Sequence, residues 1–187
     1  VADSLDKQIA RHAKKLRKIA RIEVPRANAR ALNTVAKRTE SRSARGISKE
    51  TRIPQKTIRN RIAIAKATAR KQYARIKHYV RPISAVQLLT KSQIQNKLGT
   101  GTNRKGVRAK GYQFAGAFIQ KGAGGNIHVF QRKGSARLPI EVVNIPIDKQ
   151  ARRIVETVSR RVMKNDYPQL LASDLQARYR RIKTGSF

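Results

Sequence analysis

Apolar residues recur along this chain with two different periods, and the change between them divides its expected structure. Leu5, Ile9, Leu16 and Ile19 fall near helical spacing, with Arg11, Lys14, Lys15, Arg17 and Lys18 filling most of the positions between. That pattern predicts a basic amphipathic helix over residues 4–20. A second helix is expected to begin at Pro25, a residue tolerated in a first turn, and to continue through Ala29, Leu32, Val35 and Ala36 to a break at Gly46. A short third helix follows Pro54, with Ile58 and Ile62 one turn apart and Arg59 and Arg61 flanking them.

After Thr68 the period falls to two. Ala74, Ile76, His78 and Val80 alternate with Tyr73, Arg75, Lys77 and Tyr79, which predicts a strand over 73–80. Residues 83–89, after the Pro82 corner, are its expected neighbour, though so short a run also suits a helix. Residues 91–111 carry Gly99, Gly101, Gly106 and Gly111 among Lys91, Lys97, Arg104, Lys105, Arg108 and Lys110, and read as a long mobile loop that orders against a partner. Strands over 112–120 and 127–132 are joined by a Gly/Asn-rich turn at 121–126, so a β-hairpin is expected. A third strand over 139–147 ends at Pro146. Asp148 then caps a C-terminal helical region striped by Ile154, Val155, Val158, Val162, Leu171, Leu175 and Tyr179. Pro168 should split that region into two packed segments. The expected class is α+β, an antiparallel sheet with a hairpin flanked by N-terminal helices and a C-terminal helical region. Residues 1–68, 69–147 and 148–187 would be its parts, within one structural unit.

Charge adds a constraint that periodicity does not. The chain has 44 Lys and Arg against 10 Asp and Glu, a formal charge of +34 on 187 residues. The imbalance is uneven: between Glu50 and Glu141 there is no acidic residue, while twenty Lys and Arg fall in that interval. Cations crowded without counter-charges repel one another, and a polyanion relieves the repulsion most strongly because binding its phosphates releases condensed counterions. At 39% hydrophobic residues, disorder throughout is not expected. With no cysteine, neither a disulfide framework nor thiolate zinc ligation is open to the chain, which suits a reducing cytoplasm. Residues 1–20 spread their basic residues through the segment rather than placing them before an apolar run, and no window approaches the roughly 20 apolar residues of a membrane span. A soluble protein made in a cytoplasm, with no membrane partner, is the expectation.

Catalysis finds little support. Metal-dependent nucleases cluster carboxylates around their ions, and the acids nearest the hairpin, Glu141 and Asp148, are better explained as an exposed strand position and a helix cap. His12, His78 and His128 lack ligand spacing. Neither a P-loop nor a strand-linked G-x-G-x-x-G occurs, and Gly122, Gly124 and Gly125 suit a turn between strands, so no cofactor is expected. Residues 47–64 are similar to a helix-turn-helix, with Gln55, Lys56, Arg59 and Asn60 on the second helix, although Arg52 stands where a glycine is often found.

Three blocks carry a family resemblance: Gly-Ala-Phe-Ile-Gln at 116–120, His-Val-Phe-Gln-Arg at 128–132 and Leu-Pro-Ile-Glu-Val-Val-Asn-Ile-Pro at 138–146. In order and spacing they resemble the core signature of the minor tail protein Z family of lambda-like long-tailed bacteriophages. The likeness extends more weakly over 25–67 and to the basic stretch at 91–110. It implies a structural virion component, with no catalytic residues, at the head-proximal end of the tail or neck, assembled in the host cytoplasm. Tail terminator and head-tail connector would be its neighbours there. Closed cyclic symmetry suits a component around a DNA channel, so a homo-hexameric ring is expected. Arg104, Lys105, Arg108 and Lys110, with Arg59 and Arg61 second, are the candidates for holding the viral DNA backbone without reading sequence. Alternatively, some of this charge meets acidic faces of neighbouring neck proteins. Phe118, Ile119, Val129, Phe130, Ile140 and Val142 straddle both strand faces and are either divided between core and subunit contact or all core, since strands buried on both sides also lack alternation. The rivals are a ribosomal or other RNA-packing protein, which composition alone does not separate, and a helix-turn-helix DNA-binding protein.

Overall fold

The computed structural model describes residues 5–79, 81–100, 106–134 and 138–184. It is an α+β fold. In chain order, α1 (Leu5–Lys18) runs through a π-helical turn (Ile19–Glu23) into α2 (Val24–Thr51), and α3 (Gln55–Arg59) follows. Then come β1 (Ile62–Ala65), β2 (Arg75–His78), β3 (Ile83–Ser84), a 3₁₀ turn (Ala85–Leu88) and α4 (Lys91–Lys97). Six more strands follow: β4 (Val107–Ala109), β5 (Tyr112–Phe114), β6 (Phe118–Lys121), β7 (Ile127–Arg132), β8 (Ile140–Val142) and β9 (Asn144–Ile145). Helix α5 (Asp148–Thr184) closes the chain. Internal contacts group it into two units that cut across this order. The first takes 1–43, 62–78 and 155–187, and the second 44–61 and 79–154.

In the first unit, α1 is amphipathic as its spacing predicts, yet none of its residues is buried; Leu5, Ile9 and Leu16 are exposed. Pro25 does not begin a separate helix. Proline lacks the N–H that an α-turn needs, and the π-helical turn just before it, with Val24 N donating to Ile19 O, takes up the change of register so that the helix continues. Residues 24–43 then pair with the C-terminal half of α5 through charge. Arg38 Nη1 donates to Asp166 Oδ2 at 2.6 Å and Arg42 Nη2 to the same oxygen at 2.9 Å. Arg30 Nη1 meets Asp174 Oδ1 at 3.0 Å. Arg178 sits between two carboxylates, reaching Glu23 Oε2 and Asp174 Oδ2 at 2.6 Å each. Burial works against the Arg178 charge, but those two carboxylates outweigh it and raise its pKa further.

This pairing explains why Pro168 does not split α5, contrary to the two-segment expectation. An interior proline costs a helix about 3 kcal/mol. Here Asp166 and Tyr167 on one side, Tyr167 Oη donating to Asn28 Oδ1 at 2.8 Å, and Asp174 on the other fasten the helix to α2 on both sides of it.

The same unit contains a two-stranded antiparallel ribbon, β1 with β2, in the register Ile62↔His78, Ala63↔Lys77, Ile64↔Ile76 and Ala65↔Arg75. Strand β2 alternates as predicted, with Ala74, Ile76 and His78 half-buried and Tyr73, Arg75, Lys77 and Tyr79 exposed. Its partner differs from expectation: Ile62 belongs to a strand rather than to the third helix, and residues 83–89 do not pair with β2. Ile62 stands four residues after Ile58, as in a helix, and two before Ile64, as in a strand, and only the paired strand decides between them.

The second unit is built around Ala85, Val107, Ala117, Ile119 and Val129, with Leu89, Ile94, Leu98, Phe114 and Ile127 packed against them. Sheet β6-β7-β8 is its largest, and β3–β9 and β4–β5 are separate pairs. Gly46 is no helix break. It lies within α2, where a Cβ would stand 3.0 Å from Ile154 Cγ2, so the glycine admits close packing of α5. The stretch 91–111 is not one long loop. Thr90 and Gln93 form a capping box that starts α4, and β4 pairs with β5; residues 101–105 lie outside the described residues. The strand expected over 112–120 divides into β5 and β6, with Gly116 between them at φ +66°, and 139–147 divides into β8 and β9. The 127–132 hairpin stands as predicted: Gly122 N donates to Asn126 O across the turn, and Gly125 has φ +76°. Asp148 stands in the first turn of α5 rather than capping it, with its carboxylate on Arg152 four residues along.

Candidate nucleic-acid interface

Among the described residues, most acids are engaged with cations from outside the acid-free interval. Glu23, Glu50, Glu141, Asp148, Glu156, Asp166 and Asp174 each hold a Lys or Arg within 3.3 Å. Of those seven partnerships only Lys133 with Glu141 draws on a cation from within 51–140.

Two of the expected DNA contacts, Arg108 and Lys110, share the β4–β5 hairpin. Strand β4 buries Val107 and Ala109 and exposes Arg108, which pairs across the ladder with Gln113. Period two therefore directs the arginine outward because the residues on either side of it fill the core. The turn is two residues long, Lys110 at φ +47° and Gly111 at φ +87°, the left-handed geometry that matches strand twist in tight hairpins. Lys110 is thereby exposed at the tip.

Beneath the tip lies Arg52, a residue the sequence places in a turn without indicating its contact. It has φ +55°, and a Cβ on residue 111 would fall 2.5 Å from its Nη1, so Gly111 is needed for the guanidinium to lie against the turn. Tyr112 Oη donates to Thr51 O at 2.6 Å, tying the hairpin to the end of α2. Burial raises the pKa of this phenol, and the Arg52 charge draws it back. Arg59 and Arg61 stand on a different element, α3 and the turn after it; Arg59 is exposed and Arg61 half-buried, with its carbonyl accepting from Tyr79 N. Arg104 and Lys105 lie outside the described residues. Helix α3 is five residues long and leads directly into a strand, too short for the recognition helix of a helix-turn-helix.

The six apolar candidates are sorted by the sheet. Ile119 and Val129 pair with each other and are buried in the core, 1% and 0% exposed. On the opposite face Phe118, Phe130 and Val142 form one cross-strand row, all half-buried, with ring centroids of the two phenylalanines 5.9 Å apart. Arg132 stacks over Phe118 at 5.6 Å, and Ile140, its ladder partner, is exposed. Among the described residues no group of three or more His, Cys, Asp or Glu could hold a metal ion, and no helix is long and apolar enough to cross a membrane.

Long helices and short antiparallel sheets, with most carboxylates of the described residues in ion pairs, define a basic α+β structural protein. The family described as Prophage minor tail protein Z (GPZ) matches residues 7–184, and the chain belongs to it. It is 34% identical over 165 residues to the tail completion protein of Escherichia phage N15, covering 86% of this chain and 84% of that one. It is 28% identical over 177 residues to tail completion protein Z of Escherichia phage lambda, covering 89% and 92%. No solved structure matches it. The chain is a structural phage tail protein.

Proposed function

We propose that this protein completes the head-proximal end of the tail, joins the tail to the head-neck complex, and there holds channel DNA by its backbone without reading sequence. A homo-hexameric ring is the assembly this role favours, since a closed ring presents the same cationic face all around a channel and leaves no unpaired end. Tail terminator and head-tail connector are its neighbours in this reading. The observation that carries the DNA contact is the outward placement of Arg108 and Lys110 on a hairpin anchored from below, in a stretch with no acidic residue to neutralise them. Phe118, Phe130, Ile140 and Val142, on the sheet face away from the core, are the subunit or partner contact, while Ile119 and Val129 support them from the buried side.

Cryo-electron microscopy of assembled particles tests the whole reading. A six-fold ring at the head-tail junction with the β4–β5 hairpin against DNA is the expected result. A ring whose hairpin points away from the channel removes the DNA contact and leaves the joining role, and absence of the chain from that junction removes the position as well.

A further inference from the structure

We infer that the β1–β2 ribbon is a second DNA-binding element, one that seats in the major groove of duplex DNA. It deepens the proposed DNA contact and rests on it, but it lies in the other unit and uses none of the residues assigned above.

The ribbon has two unlike faces. Ile62, Ile64, Ile76 and His78 are half-buried on one; on the other, Ala63 and Ala65 lie across the ladder from Lys77 and Arg75, and all four are exposed. The exposed face is thus a floor of methyl groups along one strand with two long cations along the other. Two strands about 4.8 Å apart with short side chains on one of them are narrow enough for a groove roughly 12 Å wide, which admits a two-stranded ribbon. Larger residues at 63 and 65 would hold the backbone away from the base edges. Alanine also leaves the phosphates within reach of Arg75 and Lys77.

The ribbon is held rigidly. Asn33 on α2 brackets the backbone of Ala67, accepting from its N at 2.8 Å and donating to its O at 3.0 Å. Gln72, in the loop between the strands, accepts from Asn28 at 2.7 Å and donates to Pro25 O at 3.2 Å. A loop fixed at both ends to a long helix presents the ribbon without the ordering cost of a free hairpin. That loop adds Arg70 and Lys71, both exposed.

Duplex rather than single-stranded nucleic acid is favoured by Tyr73. An exposed tyrosine beside basic residues suits base stacking, but Lys71 Nζ lies 4.7 Å and Arg75 Cζ 5.9 Å from this ring's centroid. The ring is occupied in steadying cations rather than offered as a platform.

The test is binding of the full chain to a short mixed-sequence duplex and to the matching single strand, across a salt series. For R75A/K77A the expected result is severalfold weaker duplex binding and a log–log salt slope smaller by about 1.8, at about 0.9 per phosphate lost; R75K/K77R keeps the slope. A63L/A65L, which changes no charge, should weaken the duplex severalfold at unchanged slope and leave the single strand unaffected. If R75A/K77A keeps the wild-type slope while R108A/K110A lowers it, the ribbon is not a DNA element and the hairpin contact stands. If A63L/A65L binds duplex as well as wild type, the ribbon does not enter the groove. If the wild-type chain shows no salt-dependent binding, the DNA reading itself falls, and this inference with it.

Discussion

The α2–α5 pairing of the first unit and the β4–β5 hairpin of the second are both rich in arginine and lysine, and they treat that charge in opposite ways. Along α2 and α5, arginines meet carboxylates whose side chains are only 7–11% exposed, in Glu23, Asp166 and Asp174. Charge there is a fastening. On the hairpin, Arg108 and Lys110 point to solvent with no acid in their part of the sequence, and what anchors them is apolar burial of Val107 and Ala109 plus the Tyr112 hydrogen bond. Glu23, Asp166 and Asp174 are committed to holding α2 and α5 together, while the hairpin carries its cations with no acid near them in the chain. Charge removal should therefore cost stability in one region and binding in the other.

The sharpest way to break that contrast is Arg178→Met. It leaves Glu23 with Arg26 alone and Asp174 with Arg30 alone, both more exposed arginines, and unfolding free energy should fall by about 3 kcal/mol, read from urea denaturation. A loss under about 1 kcal/mol would mean that the arginine is as weakly coupled as a surface ion pair. Gly46→Leu tests close packing rather than charge. Its side chain meets Ile154, and a loss of about 2 kcal/mol is expected from overpacking, whereas a helix-breaking glycine would give a gain.

A smaller effect follows from pH. Hydrogen bonds from Arg38 and then Arg42 hold the Asp166 carboxyl below its usual range. A depressed folded-state pKa stabilises the protein above the unfolded value, near 3.8, and the contribution is lost as pH falls through the folded one. Thermal melts from about pH 5 downward should show an acid limb that is shallower in Asp166→Asn, and an unchanged limb would remove this pair from the fastening. The smallest stability change is expected for R108A/K110A, within about 0.5 kcal/mol, as for surface positions. Its duplex-binding salt slope should nonetheless drop by about 1.8. Destabilisation without a change in slope would reverse the assignment of the hairpin.

Much of the fold was legible from local pattern. The alternation at 73–79, the Gly/Asn turn after β6 and the apolar stripe of α5 each follow from a period or a turn requirement that neighbouring residues set by themselves. Where the local pattern and the structure differ, the cause is shared: Gly46, Pro25 and Pro168 predict breaks because their intrinsic penalties are large, about 1 kcal/mol for glycine and 3 for proline in a helix. Contact with Ile154, a π-helical turn and ion pairs to α2 offset those penalties, and none of these is visible in a local window. Ile62, expected in the third helix, belongs to a strand for a related reason: a strand of four residues exists only by virtue of its partner.

At the candidate sites, the acid-free interval marked the cationic region, and alternation required that Phe118 and Ile119 face opposite ways, as must Val129 and Phe130. Which face is buried, that Arg52 lies under the Gly111 turn, and that Ala63 and Ala65 floor a ribbon opposite Arg75 and Lys77 were decided only by tertiary structure. The physical reason is range. Charge balance, turn chemistry and periodicity are properties of residues near one another in the chain, whereas burial and ladder register depend on the surface that arrives from elsewhere to cover them.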